Sequence, residues 1–173
     1  MKPSVSYGRE RTESALDMIV VADTSPINYL VLIRQIDLLT QLYKQILIPT
    51  AVLAELEHPG APKAVRDWAI NRPSWLEVLN PKTTLMLAEL DAGESKALAL
   101  AAEVHADVVL IDDHAGRQEA IRRGLKVAGT LSVLDEADQA GLVIFDDAVA
   151  ELRKTSFRVS PAVFSEIRQK RSR

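Results

Sequence analysis

A parallel β-sheet covered by helices on both faces, a three-layer α/β/α architecture, is the fold class that this sequence predicts. Three observations carry the prediction. Short, uninterrupted apolar runs rich in Ile and Val recur at Ile19–Ala22, Ile46–Ile48 and Val108–Ile111, the pattern of strands buried on both sides. Stretches with helical apolar spacing separate them, so strands and helices alternate, which implies parallel pairing through right-handed crossovers. Finally, two of the runs stop abruptly at acids, Asp23 and the Asp112-Asp113 pair, where a new helix begins.

Composition sets the outer bounds. The 173 residues are 47% hydrophobic and 26% charged, a globular mixture in one domain of ordinary core size. Aromatics at 5% and a formal charge of −3 argue against a broad base-stacking or basic nucleic-acid surface, though not against an enzyme that touches a few nucleotides. With no cysteine, disulfides, thiolate metal sites and a cysteine nucleophile are excluded, and a reducing, cytoplasmic setting is the expectation. No apolar run reaches membrane-spanning length, and the first residues lack the apolar centre of a signal peptide.

Residues 1–17 are polar and aperiodic and read as a disordered extension ahead of a single domain over 18–173. The first strand, Ile19–Ala22, leads into Asp23, with Ser25 as the expected N-cap and Pro26 at the first helical position. Two short helices follow, one through Ile27, Leu30 and Val31 and one through Leu38, Leu39 and Leu42. Gln45–Ile48 is a strand closed by Pro49, and the next helix carries Val52, Leu53, Glu55 and Leu56 until His58-Pro59-Gly60 ends it. A helix over 62–71 shows Val65, Trp68, Ala69 and Ile70 as its apolar stripe, and 75–79 is a brief strand.

Gly93-Glu94 then opens an alanine-rich helix. The Val108–Ile111 strand ends at Asp112-Asp113, a helix runs to Gly124, and Leu125–Ala128 forms a further strand. Gly129-Thr130 opens another helix, and two more, near 147–154 and 161–169, complete the chain.

If the first and the Val108–Ile111 strands are adjacent, their terminal carboxylates share a small volume, since neighbouring strands lie about 4.8 Å apart. Like charges so placed repel unless a cation neutralises them, and Mg²⁺ or Mn²⁺, hard ions that prefer oxygen ligands, suit such a site. Glu55 and Glu94 are the helix-borne acids positioned to join. Glu57, Glu89, Asp91, Glu103 and Asp107 are competitors that read mainly as solvated charges. His114 and Arg117 lie close behind the acid pair, and Arg117 has the (i, i+4) spacing to pair with Asp113.

Val21-Ala22-Asp23-Thr24-Ser25-Pro26, the helix with Glu55, Gly93-Glu94-Ser95-Lys96-Ala97, and Leu110-Ile111-Asp112-Asp113 with Arg117, in this order, resemble the PIN-domain nucleases, and more narrowly their toxin-like branch. The resemblance implies a parallel sheet in the order 3-2-1-4-5 and metal-dependent cleavage of RNA. It carries the family's acidic quartet to Asp23, Glu55, Glu94 and one or both of Asp112 and Asp113, with Asp112 the preferred strand-end ligand. Asp23, Glu94, Asp112 and Asp113 would hold the metal, while Thr24, Ser25 and Arg117 would contact the substrate or order the site. It further implies a small antitoxin partner and a homodimer.

Rival readings fit less well. An aspartyl-phosphate phosphatase needs a second Asp two residues after the first, where this chain has Ser25, and a phospho-receiver domain places its acid pair on the first strand. The alternative function is a non-catalytic PIN-like module that binds metal or protein.

Overall fold

The computed structural model describes residues 18–83 and 87–173, so the expectation for residues 1–17 lies outside the described residues. The chain order is β1 (Ile19–Ala22), α1 (Thr24–Leu32), α2 (Leu38–Leu42), β2 (Gln45–Ile48), α3 (Thr50–Glu57), α4 (Lys63–Ile70) and β3 (Leu76–Val78). It continues with α5 (Ala92–Glu103), β4 (Val108–Leu110), α6 (His114–Arg122), β5 (Val127–Ala128), α7 (Thr130–Gln139), α8 (Phe145–Arg153) and α9 (Pro161–Arg171). The sheet runs β3-β2-β1-β4-β5, every pair parallel, as the resemblance implied.

The period-two geometry of a strand divides the core in two. Val20 and Ala22 of β1, Ile46 and Ile48 of β2 and Leu110 of β4 face one side, where they pack with Ile27 and Leu30 of α1, Val52 and Leu56 of α3 and Leu134 of α7. Val21, Leu47 and Val109 face the other, against Ala97, Leu98 and Leu100 of α5 and Ala120 of α6. All these residues are buried, which explains why the strands read as continuous apolar runs rather than alternating ones. The small alanines let α5 lie close to the sheet.

Crossovers leave β1 in one direction along the first face and reach β4 and β5 along the second. Strand order therefore reverses between β1 and β4, and a crevice opens there beyond their carboxyl ends. Register fixes what lines it: Ala22 pairs with Leu110, and the Asp23 N–H donates to the Leu110 carbonyl at 2.8 Å. Asp23 and Asp112 thus emerge from adjacent strands.

Two local expectations are corrected. Asp23, not Ser25, is the N-cap residue of α1, so Pro26 sits two residues deeper than expected, still within the first turn. The first-turn amides of a helix lack intrahelical partners, so proline is accommodated there without losing a bond. Ile70 is 65% exposed and does not belong to the buried stripe of α4, which Val65 and Ala69 supply. The helix ends at that residue, and the chain turns away before Ile70 meets the sheet.

Candidate functional site

Each acid reaches the crevice by a different local device. Asp23 arrives from β1 and is 4% exposed, yet its side chain makes no capping bond, and its Oδ1 is buried without a hydrogen-bond partner. Burial pushes its pKa from 3.8 up to about 8, helped by the charges of Glu94, Asp91 and Glu55 and opposed by the Thr24 backbone N–H. A buried carboxylate oxygen with nothing to accept from is costly, and such a group signals a missing cation or proton.

Glu55 comes from α3 and accepts a short hydrogen bond from the Thr24 hydroxyl. Gly93 makes this approach possible, because a Cβ there would lie 2.7 Å from Glu55 Oε1. Burial also raises the Glu55 pKa, with the Thr24 hydroxyl acting in the opposite direction.

Glu94 sits in the first turn of α5, where Asp91 is the N-cap. Asp91 accepts from the Glu94 N–H at 2.8 Å, and the Glu94 carboxylate reaches back to the Asp91 N–H at 3.3 Å, a reciprocal capping box. Burial lifts the Glu94 pKa to about 7, and the charges of Asp91, Asp113 and Glu55 add to the rise.

The two acids after β4 have distinct surroundings. Asp112 accepts from the Thr130 N–H at 2.8 Å and from the Thr130 hydroxyl at 2.7 Å. Burial raises its pKa, and the Thr130 bonds and the Arg117 guanidinium hold that rise back. Gly129 gives Asp112 its room, since a Cβ there would be 2.7 Å from Oδ1 and 3.0 Å from Arg117 Nη1. Asp113 is exposed and caps α6, accepting from the Gly116 N–H at 3.0 Å. Arg117, for which pairing with Asp113 and contact with the substrate were both expectations, lies beside Asp112 and donates to the Ile111 carbonyl at 3.4 Å.

The fold therefore brings Asp23, Glu55 and Glu94 into one electrostatically coupled group and places Asp113 within reach of Glu94. Asp112 is satisfied separately by Thr130, with the Arg117 charge acting on it. Among the described residues no three His, Cys, Asp or Glu side chains converge into a ready-made metal cage. That arrangement fits a hard divalent ion that takes one or two carboxylates directly and keeps several waters, with Asp23 Oδ1 as the unsatisfied donor.

A cleft of about 520 Å³ opens beside these groups, with Ser25, Glu94, Asp112, Asp113 and Arg117 in its wall. His114 also lines it. Tyr29 and Arg158, from α1 and the segment before α9, line it too and were not anticipated; only contacts between distant segments bring them here. Asp91 was grouped with the solvated charges, although the Asp91-x-x-Glu94 spacing is the sequence mark of the capping box that places it in the site.

A PilT N-terminus domain protein from the hyperthermophilic archaeon Sulfolobus solfataricus P2 superposes with a TM-score of 0.47 at 16% identity, covering 83% of this chain and 100% of that one. No curated protein matches the chain. The sequence profile of the family described as DUF3368, a PIN domain, matches residues 19–173, a span that includes all five strands and every acid described above. The chain belongs to the PIN-domain family.

Proposed function

We propose that this chain is a divalent-metal-dependent ribonuclease that hydrolyses RNA phosphodiester bonds. PIN domains are generally nucleases that use divalent metals. The observation that carries the reading for this chain is Asp23: a carboxylate at the strand-order reversal, almost fully buried, with one oxygen lacking any partner and three further acids, Glu94, Asp91 and Glu55, coupled to it. A solvated or structural acid has no need of such a position.

In this reading Asp23, Glu94 and Asp113 hold Mg²⁺ or Mn²⁺, directly or through water. A divalent ion held by these residues would supply charge neutralisation at the phosphate and a water of lowered pKa as nucleophile. Asp113 is favoured over Asp112 because both Asp112 oxygens already accept from Thr130, whereas Asp113 acts on Glu94 across the cleft. Asp112 then positions the β4 end and Arg117. Glu55 is fixed by the Thr24 hydroxyl and completes the negative field from the α3 side. Ser25, in the cleft wall, contacts the substrate backbone.

The toxin-like resemblance extends the proposal. The chain is the toxin of a toxin–antitoxin pair, acts as a homodimer, and is inhibited by a small protein that covers the acidic cleft. The test is cleavage of single-stranded RNA by the purified chain in Mg²⁺ or Mn²⁺. Activity that disappears with chelator and in Asp23→Asn is expected. A wild-type protein that binds no divalent ion and cleaves no RNA overturns the reading in favour of a non-catalytic module.

A further inference from the structure

The cleft carries a cation that the acidic chemistry leaves unused. Arg117 interacts electrostatically with Asp112 and donates to the Ile111 carbonyl at 3.4 Å. Arg158 lines the same cleft, is exposed, and makes its one described hydrogen bond to the neighbouring Phe157 carbonyl, from Nη1 at 2.9 Å. Among the described residues no carboxylate pairs with it, unlike Arg122, Arg123, Arg168 and Arg171, each of which has an acidic partner. An arginine fork without an internal anion, in a cleft otherwise rich in acid, is suited to an incoming phosphate.

Its position is also fixed. The Phe157 ring meets Tyr29 edge to face at 5.0 Å, and the Tyr29 hydroxyl shares a hydrogen bond with Ser156 Oγ at 3.1 Å. The Thr155 hydroxyl donates to the Leu152 carbonyl at 2.6 Å and accepts from the Phe157 N–H at 3.1 Å. On the other side Ser160 caps α9 by accepting from the Val163 N–H at 3.3 Å. Arg158 is therefore held between two anchored points, so less conformational freedom is lost when it grips a ligand. A polyanion entering this cleft faces Glu94, Asp112 and Asp113, and one phosphate on a metal leaves its neighbours to be compensated.

We infer that Arg158 is a substrate-binding residue that takes a backbone phosphate of single-stranded RNA adjacent to the one being cleaved. This rests on the ribonuclease reading for the identity of the polyanion, and its test separates the two.

The full chain is titrated into a fluorescently labelled short single-stranded RNA in Ca²⁺, between about 50 and 200 mM salt, with cleavage followed in parallel in Mg²⁺. Arg158→Gln is expected to bind roughly tenfold more weakly, the loss of one charge-assisted contact. The slope of log affinity against log salt should become shallower by about 0.7, the value for one phosphate on a single strand. Arg158→Lys should restore the slope, and in Mg²⁺ the KM of Arg158→Gln should rise by about the same factor as its binding weakens. A wild type that binds with this Arg158-dependent slope but does not cleave supports the inference and overturns the nuclease reading. A wild type that cleaves, with the same slope in Arg158→Gln, overturns the inference and leaves the nuclease reading standing. Failure of the wild type to bind RNA overturns the inference.

Discussion

Asp23 links protonation to folding. Its pKa is 3.8 when unfolded and about 8 when folded without metal, so near pH 4 it is largely protonated in the folded chain and titrating in the unfolded one. As pH rises through that interval the unfolded chain releases its proton while the folded one retains it. The stability associated with the protonated group is thus fully present below pH 3.8 and is lost by the time pH passes about 8. We expect the Tm of the metal-free wild type to fall between about pH 5 and pH 8.5 more steeply than that of Asp23→Asn, measured by thermal denaturation in chelator. A parallel pair of curves would mean that Asp23 is not held in an unfavourable place. Gly93 offers a second probe at this scale, because its missing Cβ leaves the space that Glu55 Oε1 fills. Gly93→Ala should displace that carboxylate by a fraction of an ångström or more and lower the rate of RNA cleavage roughly 100-fold with little change in the circular dichroism spectrum.

Helix α9 shows how an element with little buried surface is retained. None of its residues is buried, yet Val163 and Ile167, with the N-cap Ser160, contribute to the cleft wall. Its hold comes from side chains at the far end. Arg171 bonds Asp135 at 2.6 Å and also Asp138, and its guanidinium stacks 4.3 Å above the Phe145 ring. Asp135 is only 3% exposed, so removing Arg171 leaves its buried charge without a cation, with the Gln139 amide at 3.0 Å as a remaining donor. Arg171→Ala should cost roughly 2–4 kcal/mol, discounted because Arg171 itself remains partly in water, and should lower the Tm by roughly 10 °C. Adding Asp135→Asn should recover part of the loss; a double variant as unstable as the sum of both would argue against the clamp. Arg168 and Arg153, each about 5 Å from the Phe164 ring, are weaker supports.

This clamp was invisible in the sequence, because nothing in the spacing of Arg171 marks Asp135 and Asp138 as its partners. Helix spacing identifies which residues share a face, but not which distant helix will meet them. By contrast, the strands and most helix starts were legible, because burial on both faces forces unbroken apolar runs and the next helix must follow at once. The Asp23 cap was misplaced by two residues for the same reason that it matters. Cap rules assume an acid that bonds its own first turn, and Asp23 keeps its side chain free of that bond.

For the molecule as a whole, bringing acids together is tolerable in a chain of net charge −3 only if something compensates them locally. Since the proposed metal binds the folded state alone, it should stabilise the fold by about 2.7 kcal/mol at a hundredfold excess over its Kd. Mn²⁺ or Mg²⁺ is expected to raise the Tm of the wild type more at pH 8 than at pH 6, where protons compete for Glu94 and Asp23. Asp23→Asn should lose most of that rise, and an equal shift in both proteins would place the ion elsewhere. That Asp23 and the Asp112-Asp113 pair follow adjacent strands was readable from the two apolar runs alone. Their division of labour was not, because it depends on Thr130 arriving from a different crossover to claim one of them.

All strands of the sheet point the same way, so the described fold has one quiet rim and one working rim. Residue 18 enters at the amino edge of β1, where the Ile19 N–H is tied to Asp107, while Val163 and Ile167 of α9 form part of the crevice wall. A bulky label placed beside Asp107 therefore sits on the side away from the acids. The same label at Val163 stands in the wall itself, and enzymology on such a protein reports on the label as much as on the chain.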